Sequence, residues 1–289
     1  MLNWRLDDEA ADRSKTCWMH PSSNIVLDIH GDPSNAQLTV FSDGNHHMAL
    51  RECMESLRQS VSGLDSIAYL TLPPPLLRRL LDHPTLLLGN LRLTLKADMI
   101  ISPLPVLAEL CQLRRCREPI PFAGYKGCAL LVTRTNPKNI KTYNDLFRDD
   151  VTLFLSNPDT EWVSHRFYRD FLHSQLTPAA RASFDLRLSS GEKLVIGECI
   201  HHREAPLALA EGACDVAILY RHLAIHYQKT YPHLFDLIVP PTDSDKLPPS
   251  QPTAVAVVDD KSGVTRQALE YFLSPACKGI YERHELIAM

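Results

Sequence analysis

The stretch Leu38-Thr39-Val40-Phe41-Ser42-Asp43-Gly44-Asn45-His46-His47-Met48-Ala49-Leu50 decides the fold that we predict. It begins with an apolar, β-branched run that has the length and character of a strand. The run breaks at Ser42-Asp43-Gly44, which are turn and helix-capping residues. A helical pattern follows, with apolar residues at three- and four-residue spacing from Leu50 to Val61. The stretch therefore predicts a strand that turns sharply into a helix.

A turn of this kind can bind an anion. The first amide N–H groups of the helix lack partners within the helix, and they point beyond the end of the strand. These donors and the positive end of the helix dipole favour negative charge. Ligands of open α/β sheets also bind at the carboxyl ends of strands. A capped turn that binds nothing is the alternative interpretation, because capping residues are common.

The same alternation of strands and helices continues along the chain. The pattern predicts strands at residues 67–70, 99–102, 128–133, 151–155, 215–220 and 254–258. Helices follow most of these strands, and two helices close the chain near residues 267–273 and 275–283. A Pro- and Gly-rich break over residues 119–127 and a proline-rich connection over residues 240–249 separate two α/β blocks. Alternating strands and helices predict an α/β fold with a parallel sheet.

The composition is that of an ordinary soluble globular protein, with 289 residues, 45% apolar and 22% charged. The net charge of −4 gives no electrostatic footprint for nucleic acid. No apolar run has the length of a membrane-spanning helix. We therefore expect no nucleic acid partner and no insertion into a membrane.

The cysteines and the first residues bear on the compartment. The eight cysteines are scattered without a C-x-x-C pair, and several lie in apolar patterns. We therefore expect free, buried thiols rather than disulfides or zinc bound through cysteine. The first residues are acidic and polar, without the apolar core of a secretory signal. This predicts a cytoplasmic protein, and a periplasmic location is the alternative if the start is misassigned.

Five stretches of the chain share the pattern of one family of two-lobed proteins. They are Phe41-Ser42-Asp43, Leu130-Leu131-Val132-Thr133-Arg134-Thr135-Asn136-Pro137, Ser156-Asn157-Pro158-Asp159-Thr160, Leu209-Ala210-Glu211-Gly212-Ala213-Cys214-Asp215-Val216-Ala217-Ile218-Leu219-Tyr220 and Tyr271-Phe272-Leu273-Ser274-Pro275. On these residues the chain resembles the type II periplasmic solute-binding proteins, and among them the molybdate-binding components of ABC importers. The resemblance covers roughly residues 36–289.

The resemblance implies two α/β lobes, joined by two crossover strands that form a hinge, with a ligand in the cleft between them. It implies an N-terminal arm over residues 1–35, a first lobe over 36–127 plus 253–289, and a second lobe over 128–252. The positions that match the family's ligand groups are Ser42 with the amides of Asp43 and Gly44, Thr71, Ser156, Asn157, Thr160 and Tyr220. Asn45, which stands in the same turn where the family usually has a small residue, is a further candidate. Backbone N–H groups and hydroxyls can bind an oxyanion without a neutralising Lys or Arg. Asp43 and Asp159 fit poorly in such a pocket, so we expect their carboxylates to turn outward and cap helices.

Two histidine pairs, His46-His47 and His201-His202, are further candidates. The plain interpretation is that they are surface or capping histidines. Alternatively, His46 or His202 donates to an anionic ligand. Arg203 then reaches the same ligand, or pairs with a neighbouring carboxylate.

We predict from these observations a monomeric solute-binding protein that captures a small anion, most plausibly a molybdate-like tetrahedral oxyanion. It is not an enzyme, needs no cofactor, and has a membrane component of an ABC transporter as its candidate partner. One alternative is a metal-binding protein or enzyme on the same fold that uses His46/His47 and His201/His202/Glu204. The candidate metal ligands are then His46, His201 and Glu204, because His201-x-x-Glu204 lies on one helical face. Another alternative is a cytosolic anion-sensing regulatory module.

Overall fold

The computed structural model describes residues 28–88, 91–198, 200–242, 252–260 and 263–289. Most of the predicted N-terminal arm, residues 1–27, lies outside the described residues. The rest of the arm contains a short strand, β1 (Asp28–His30). None of the helices in the described ranges combines the length and the apolar character needed to cross a lipid bilayer.

The first sheet has seven strands, which come from both ends of the described chain. They are β1, β2 (Leu38–Ser42), β3 (Ile67–Thr71), β6 (Met99–Pro103), β7 (Ile120–Tyr125), β13 (Thr253–Val257) and β14 (Leu286–Ala288), in the spatial order β1-β3-β2-β6-β13-β7-β14. Five helices accompany this sheet: α1 (His47–Ser60), α2 (Pro74–Asp82), α3 (Leu104–Gln112), α8 (Gly263–Phe272) and α9 (Pro275–Arg283). A hairpin of β4 (Thr85–Leu88) and β5 (Leu91–Thr94) forms a small separate sheet.

The second sheet has five strands from the middle of the chain. They are β8 (Cys128–Thr133), β9 (Leu153–Leu155), β10 (Leu194–Ile196), β11 (Val216–Tyr220) and β12 (Phe235–Ile238), in the order β10-β9-β11-β8-β12. Its helices are α4 (Trp162–Gln175), α5 (Pro178–Ser190), α6 (His201–Ala210) and α7 (Arg221–Thr230), with a 3₁₀ helix at Tyr143–Phe147. The two sheets and their helices are the two lobes of the predicted fold. The lobe boundaries inferred from the resemblance remain a prediction.

Strand β2 shows why the sequence forms a doubly covered sheet. All five of its residues are buried. Val40 packs into one hydrophobic cluster and Phe41 into another, because successive side chains of a strand point to opposite faces. A continuous apolar run is therefore the pattern expected of a strand with helices on both faces.

The predicted parallel sheet is only partly correct, because both sheets are mixed. In the first sheet, β2 pairs in parallel with β3 and β6, whereas β13 is antiparallel to β6 and β7. In the second sheet, β9 is parallel to β10 and β11, whereas β8 is antiparallel to β11 and β12. The edge strands β1 and β14 also pair antiparallel with β3 and β7, so among the described strands only the strand–helix units β2, β3 and β6 and the strands β9, β10 and β11 keep the parallel direction.

The prediction of a break over residues 119–127 is corrected by the structure, because most of these residues form β7. This strand lies between β13 and β14. Pro121 lacks an N–H group, and its pairing with Ala254 lies beside a register shift between Thr253 and Ala254. The irregularity accommodates the proline within the sheet. The chain then crosses to β8 through Gly127, whose φ of +78° is in the region that favours glycine.

The topology directs helix N-termini from both lobes towards the space between them. In the first lobe, the parallel strands β2 and β3 end at Ser42 and Thr71, which are direct neighbours in the register. In the second lobe, β11 ends at Tyr220, and α7 starts at the next residue. The fold therefore places the predicted ligand turn at the carboxyl edge of the first sheet.

Candidate functional site

The ligand turn, which we define as residues 42–46, is held by hydrogen bonds within the first lobe. The Ser42 hydroxyl donates to the Asp43 carbonyl oxygen at 3.0 Å, and the Asp43 N–H donates to the Ile101 carbonyl oxygen at 2.9 Å. Ser42 is fully buried. Two of the predicted anion donors, the Ser42 hydroxyl and the Asp43 amide, are thus already engaged in holding the turn.

His46 also holds this turn rather than lining a cavity. The buried His46 ring lies between Ser42 Oγ, 3.1 Å from its Nε2, and the hydroxyl of Tyr281, 2.7 Å from its Nδ1. Because the only Ser42 hydroxyl proton goes to a carbonyl, His46 Nε2–H donates to Ser42 Oγ and Nδ1 accepts from Tyr281. Burial, with smaller effects of His222 and His47, lowers the His46 pKa to about 3. The ring is therefore neutral.

A small cavity, which we call the cleft cavity, lies where the ligand turn meets the start of α6. Its volume is about 20 Å³, the space of about one water molecule. The described residues that line it are Asp43, Gly44, Asn45, Thr71, Leu72, Pro73 and Pro74 from the first lobe and Glu161, Ile200, His202 and Arg203 from the second. Six predicted site residues are thus brought together: Asp43, Gly44, Asn45, Thr71, His202 and Arg203.

Asp43 does not turn outward as we expected. Its side chain is buried, and its Oδ1 accepts the Asn45 N–H at 2.8 Å, which fixes an Asx turn at the end of β2. Oδ2 has no hydrogen-bond partner among the described residues and lies 3.9 Å from His46 Nε2. Burial raises the Asp43 pKa to about 7. The expectation was wrong because the turn packs under the second lobe, which excludes solvent from this carboxyl group.

Glu161 is a cavity residue that the sequence did not reveal. It lies just before α4, and its Oε2 accepts the His201 N–H at the start of α6 at 2.7 Å. Burial is the main cause that raises the Glu161 pKa to about 8, and the carboxyl groups of Glu204 and Asp43 add to the shift. An acidic residue before a helix is a common capping signal, so the sequence alone gave no reason to place Glu161 in a site.

Arg203 joins the two lobes across the cleft cavity. Its guanidinium donates to the carboxylate of Asp28 in β1. Thr71 Oγ1 donates to the same carboxylate at 3.0 Å. The neighbouring Glu204 caps the N-terminus of α6 with its own side chain, because its Oε1 accepts the Ile200 N–H at 2.7 Å. Arg203 is therefore an interlobe cation beside the cavity.

His202 packs against the ligand turn from the second lobe. Its ring stacks on His47 with centroids 5.7 Å apart. A Cβ atom at Gly44 would lie 2.9 Å from His202 Nε2. A side chain in place of Gly44 would therefore force the His202 ring or the ligand turn to shift.

The remaining predicted ligand groups of the second lobe do not line the cavity. Asn157 donates to the Gly197 carbonyl oxygen at 3.0 Å, and Thr160 Oγ1 donates to the Glu198 carbonyl oxygen at 3.1 Å, so both tie one turn to another. Ser156 is buried, and its Oγ has no partner within the described chain. The Tyr220 ring stacks on Tyr125 at 4.2 Å. Ser42 and His46 are also absent from the cavity lining. Asp159 is exposed, in agreement with an outward-facing carboxylate.

The alternative metal site is not assembled. His201 is buried, and its ring packs against Phe154 and Tyr168 with centroids 5.5 and 4.9 Å away. His46 is bonded within the first lobe and Glu204 caps α6. No group of three or more His, Cys, Asp or Glu side chains suited to a metal ion occurs in the part of the chain that the structure describes. The set His46, His201 and Glu204 does not come together because each side chain is held in a different environment: His46 by Ser42 and Tyr281, His201 by aromatic rings, and Glu204 by the N-terminus of α6.

Comparisons with known proteins agree with this architecture. A sequence profile described as "Bacterial extracellular solute-binding protein" matches residues 38–284. A comparison with curated protein sequences gave no match.

Solved structures show the same fold at low identity. The periplasmic molybdate-binding protein of Azotobacter vinelandii is 12% identical with a TM-score of 0.64, over 87% of this chain and 99% of that one. The sulfate-binding protein SubI of Mycobacterium tuberculosis H37Rv is 15% identical with a TM-score of 0.64, over 87% and 86%. The tungstate-binding protein TupA of Desulfovibrio alaskensis G20 is 11% identical with a TM-score of 0.54, over 84% and 92%.

Proposed function

This chain belongs to the bacterial extracellular solute-binding protein family, and from that premise we propose that it holds a small oxyanion in the cleft cavity. The family consists of solute-binding proteins rather than enzymes, and it implies an ABC transporter as the partner. The extracellular character of the family does not support the cytoplasmic prediction and agrees with the periplasmic alternative. More specifically, we propose that the ligand is a molybdate-like tetrahedral oxyanion.

The observation that carries the proposal is the set of groups around the cleft cavity. The guanidinium of Arg203 is the cation of the lining, and the first turn of α6 brings its N-terminal dipole end to the same place. Asn45 and Thr71 add neutral polar side chains from the first lobe. An anion that touches all of these groups is bound by both lobes at once, as the hinge of this fold requires.

The two buried acids fit an anion when they are protonated. Burial raises the pKa of Asp43 to about 7 and that of Glu161 to about 8. In the protonated form a carboxyl group has an O–H donor. Asp43 and Glu161 then donate to the oxyanion instead of repelling it. Binding should consequently be tighter below about pH 7 than above pH 8.

The size of the cavity adds a requirement for movement. A space of about 20 Å³ holds about one water molecule, so a tetrahedral oxyanion needs the lobes to separate slightly. The contact of His202 with Gly44 and the ion pair of Arg203 with Asp28 are the interlobe contacts that must adjust. Capture of the ligand therefore couples to the hinge.

Titration calorimetry of the full chain with molybdate, tungstate, sulfate and phosphate tests the proposal. We expect at least one oxyanion to bind, and Arg203→Gln to weaken it by about tenfold or more, the scale of a hydrogen bond to a charged group. Asp28→Asn is the matched control, because it also breaks the interlobe ion pair but keeps the guanidinium. Equal losses in both variants, or no heat with any oxyanion, would refute the proposed ligand contact.

A further inference from the structure

A second and larger cavity lies between α1, α7 and the end of α9. Its volume is about 480 Å³. We call it the basic cavity and define it by His47, Arg51, His226, Lys229, Arg283 and His284, which line it together with His222 and Glu285. Helices α1 and α9 belong to the first lobe and α7 to the second. No described residue lines both this cavity and the cleft cavity.

Imidazoles form one wall of the basic cavity. The rings of His47 and His226 meet edge to face with centroids 5.1 Å apart. Burial lowers the His47 pKa to about 4, and His226 adds to the shift. Burial also lowers the His226 pKa, with a contribution from His284. These imidazoles therefore oppose each other's protonation, and an anion among them would relieve that repulsion.

The permanently charged side chains of the basic cavity carry more positive charge than the neighbouring carboxylates neutralise. Arg51 pairs with Glu55 at 3.4 Å, and Arg283 pairs with Glu52. Glu285 lies 3.5 Å from Lys126, a residue that does not line the cavity. The nearby carboxylates are thus already engaged. Lys229, in contrast, has no ion pair with any residue that the structure describes.

His222 supplies an unsatisfied polar atom at the same place. The side chain is buried, and its Nε2–H donates to the Asn45 carbonyl oxygen at 2.6 Å. Its Nδ1 has no partner among the described residues. A protonated ligand oxygen, or a proton taken up together with an anion, would satisfy this atom.

We propose that the basic cavity is a second ligand site, and that it takes a small polyanion of the chemistry of a phosphorylated organic compound. Its volume is in the range of small-molecule sites, about 300–1,000 Å³, and is far larger than one tetrahedral oxyanion needs. Lys229 supplies the permanent positive charge, and protons that the imidazoles take up together with the anion add to the attraction. Because the walls come from both lobes, an occupant stabilises their present contact and favours the closed cleft.

Titration calorimetry of the full chain with inorganic pyrophosphate tests this site. We expect binding to the wild type, and a loss of at least tenfold in the double variant His226→Gln/Lys229→Gln. Arg266→Gln is the charge-matched control, because Arg266 pairs with Glu270 on the solvent-facing side of α8, and it should leave the affinity unchanged. Absence of binding, or an equal effect of the control, would overturn the proposal.

Two further measurements distinguish this site from the proposed oxyanion site in the cleft cavity. Arg203→Gln should leave pyrophosphate affinity within about twofold of the wild type, because Arg203 lines the cleft cavity and not the basic cavity. If that variant instead abolishes binding, pyrophosphate occupies the cleft and the second site is refuted. Failure of molybdate, tungstate, sulfate and phosphate to bind would refute the oxyanion cleft and leave the pyrophosphate result standing. Binding of Zn²⁺ without pyrophosphate, lost in His226→Gln, would overturn the polyanion assignment.

Discussion

The Nε2 atom of His222 lies 2.6 Å from the carbonyl oxygen of Asn45, so a side chain of the second lobe is hydrogen-bonded to the ligand turn of the first. A carbonyl oxygen can only accept, and the ring must therefore carry its proton on Nε2. Burial is the main cause that lowers the His222 pKa to about 3, against a weaker opposing effect of this hydrogen bond. The contact thus holds the lobes together through a neutral histidine.

We expect acid to destabilise the protein through its buried histidines. His46, His201 and His222 have a pKa of about 3 in the folded chain and about 6.5 when unfolded. The unfolded state therefore binds more protons below pH 6.5, and each histidine removes about 1.4 kcal/mol of stability per pH unit there. The raised pKa values of Asp43 and Glu161 act in the opposite direction, because the folded state then binds the proton more tightly. Thermal denaturation at pH 7 and pH 5 should show a net loss, because His47 and His202, whose pKa values are also lowered by burial, add to the three histidines against the two acids.

The control is His222→Gln, because a glutamine N–H can donate to Asn45 but does not titrate in this range. The drop in melting temperature between pH 7 and pH 5 should be smaller in this variant than in the wild type. An equal drop would mean that His222 does not contribute to the pH dependence.

Gly44→Ala should separate the lobes at the cleft. The added Cβ would lie 2.9 Å from His202 Nε2, so the imidazole or the turn must shift. Overpacking of this kind costs about 1–3 kcal/mol, and chemical denaturation should detect it. Gly263→Ala is the control, since a Cβ there meets no atom within 4 Å. In a His202→Ala background, Gly44→Ala should cost less stability than it does in the wild type, and an equal cost would argue against a collision with this ring.

The sequence predicted the ligand turn well because its signal is local. The strand residues, the capping residues and the helical periodicity all lie within residues 38–61, and the structure has β2 and α1 there. The closing helices near residues 267–283 were predicted for the same reason. Strand β7 was missed because a proline within it argued for a break, and only its pairing with β13 and β14 reveals the strand.

The site was less predictable, because its contacts join distant parts of the chain. His222 was not a candidate, since nothing near it in sequence indicates a bond to Asn45, 177 residues away. Glu161 meets His201 across 40 residues for the same reason. Burial of Asp43 depends on the second lobe covering the turn. Residue types indicated which side chains can bind an anion, but only packing of the lobes selects those that line one cavity.

Cys53 and Cys277 provide a test of the compartment. Their Sγ atoms lie 3.3 Å apart, between the buried faces of α1 and α9, and both thiols are free. A disulfide has an S–S distance of about 2.05 Å, so the two Sγ atoms must move closer for the bond to form. Production in an oxidising compartment should therefore yield two fewer reactive thiols under denaturing conditions than cytoplasmic production.

Cys53→Ala should abolish that difference between compartments, because Cys277 then has no partner. Equal thiol counts for the wild type from both compartments would support the prediction that every cysteine stays reduced. A difference that persists in Cys53→Ala would assign the disulfide to other cysteines.

The charge state of Asp43 and Glu161, the two acids of the cleft cavity, distinguishes an anionic ligand from a cationic ligand that donates hydrogen bonds to these side chains. If Asp43 and Glu161 bind an oxyanion as neutral acids, affinity should be constant below about pH 7 and should fall as the pH rises through 7 and 8, where each ionises. Asp43→Asn and Glu161→Gln keep a neutral donor at each position, so the double variant should bind molybdate at pH 7 within a fewfold of the wild type. At pH 9 it should bind more tightly than the wild type, because the repelling charges are gone. A cationic ligand gives the reverse order, since the carboxylates then attract it and the neutral amides lack that charge. Calorimetry on both proteins at pH 6, 7 and 9 distinguishes the two outcomes, and loss of molybdate binding in the double variant at pH 7 would exclude the neutral-acid role.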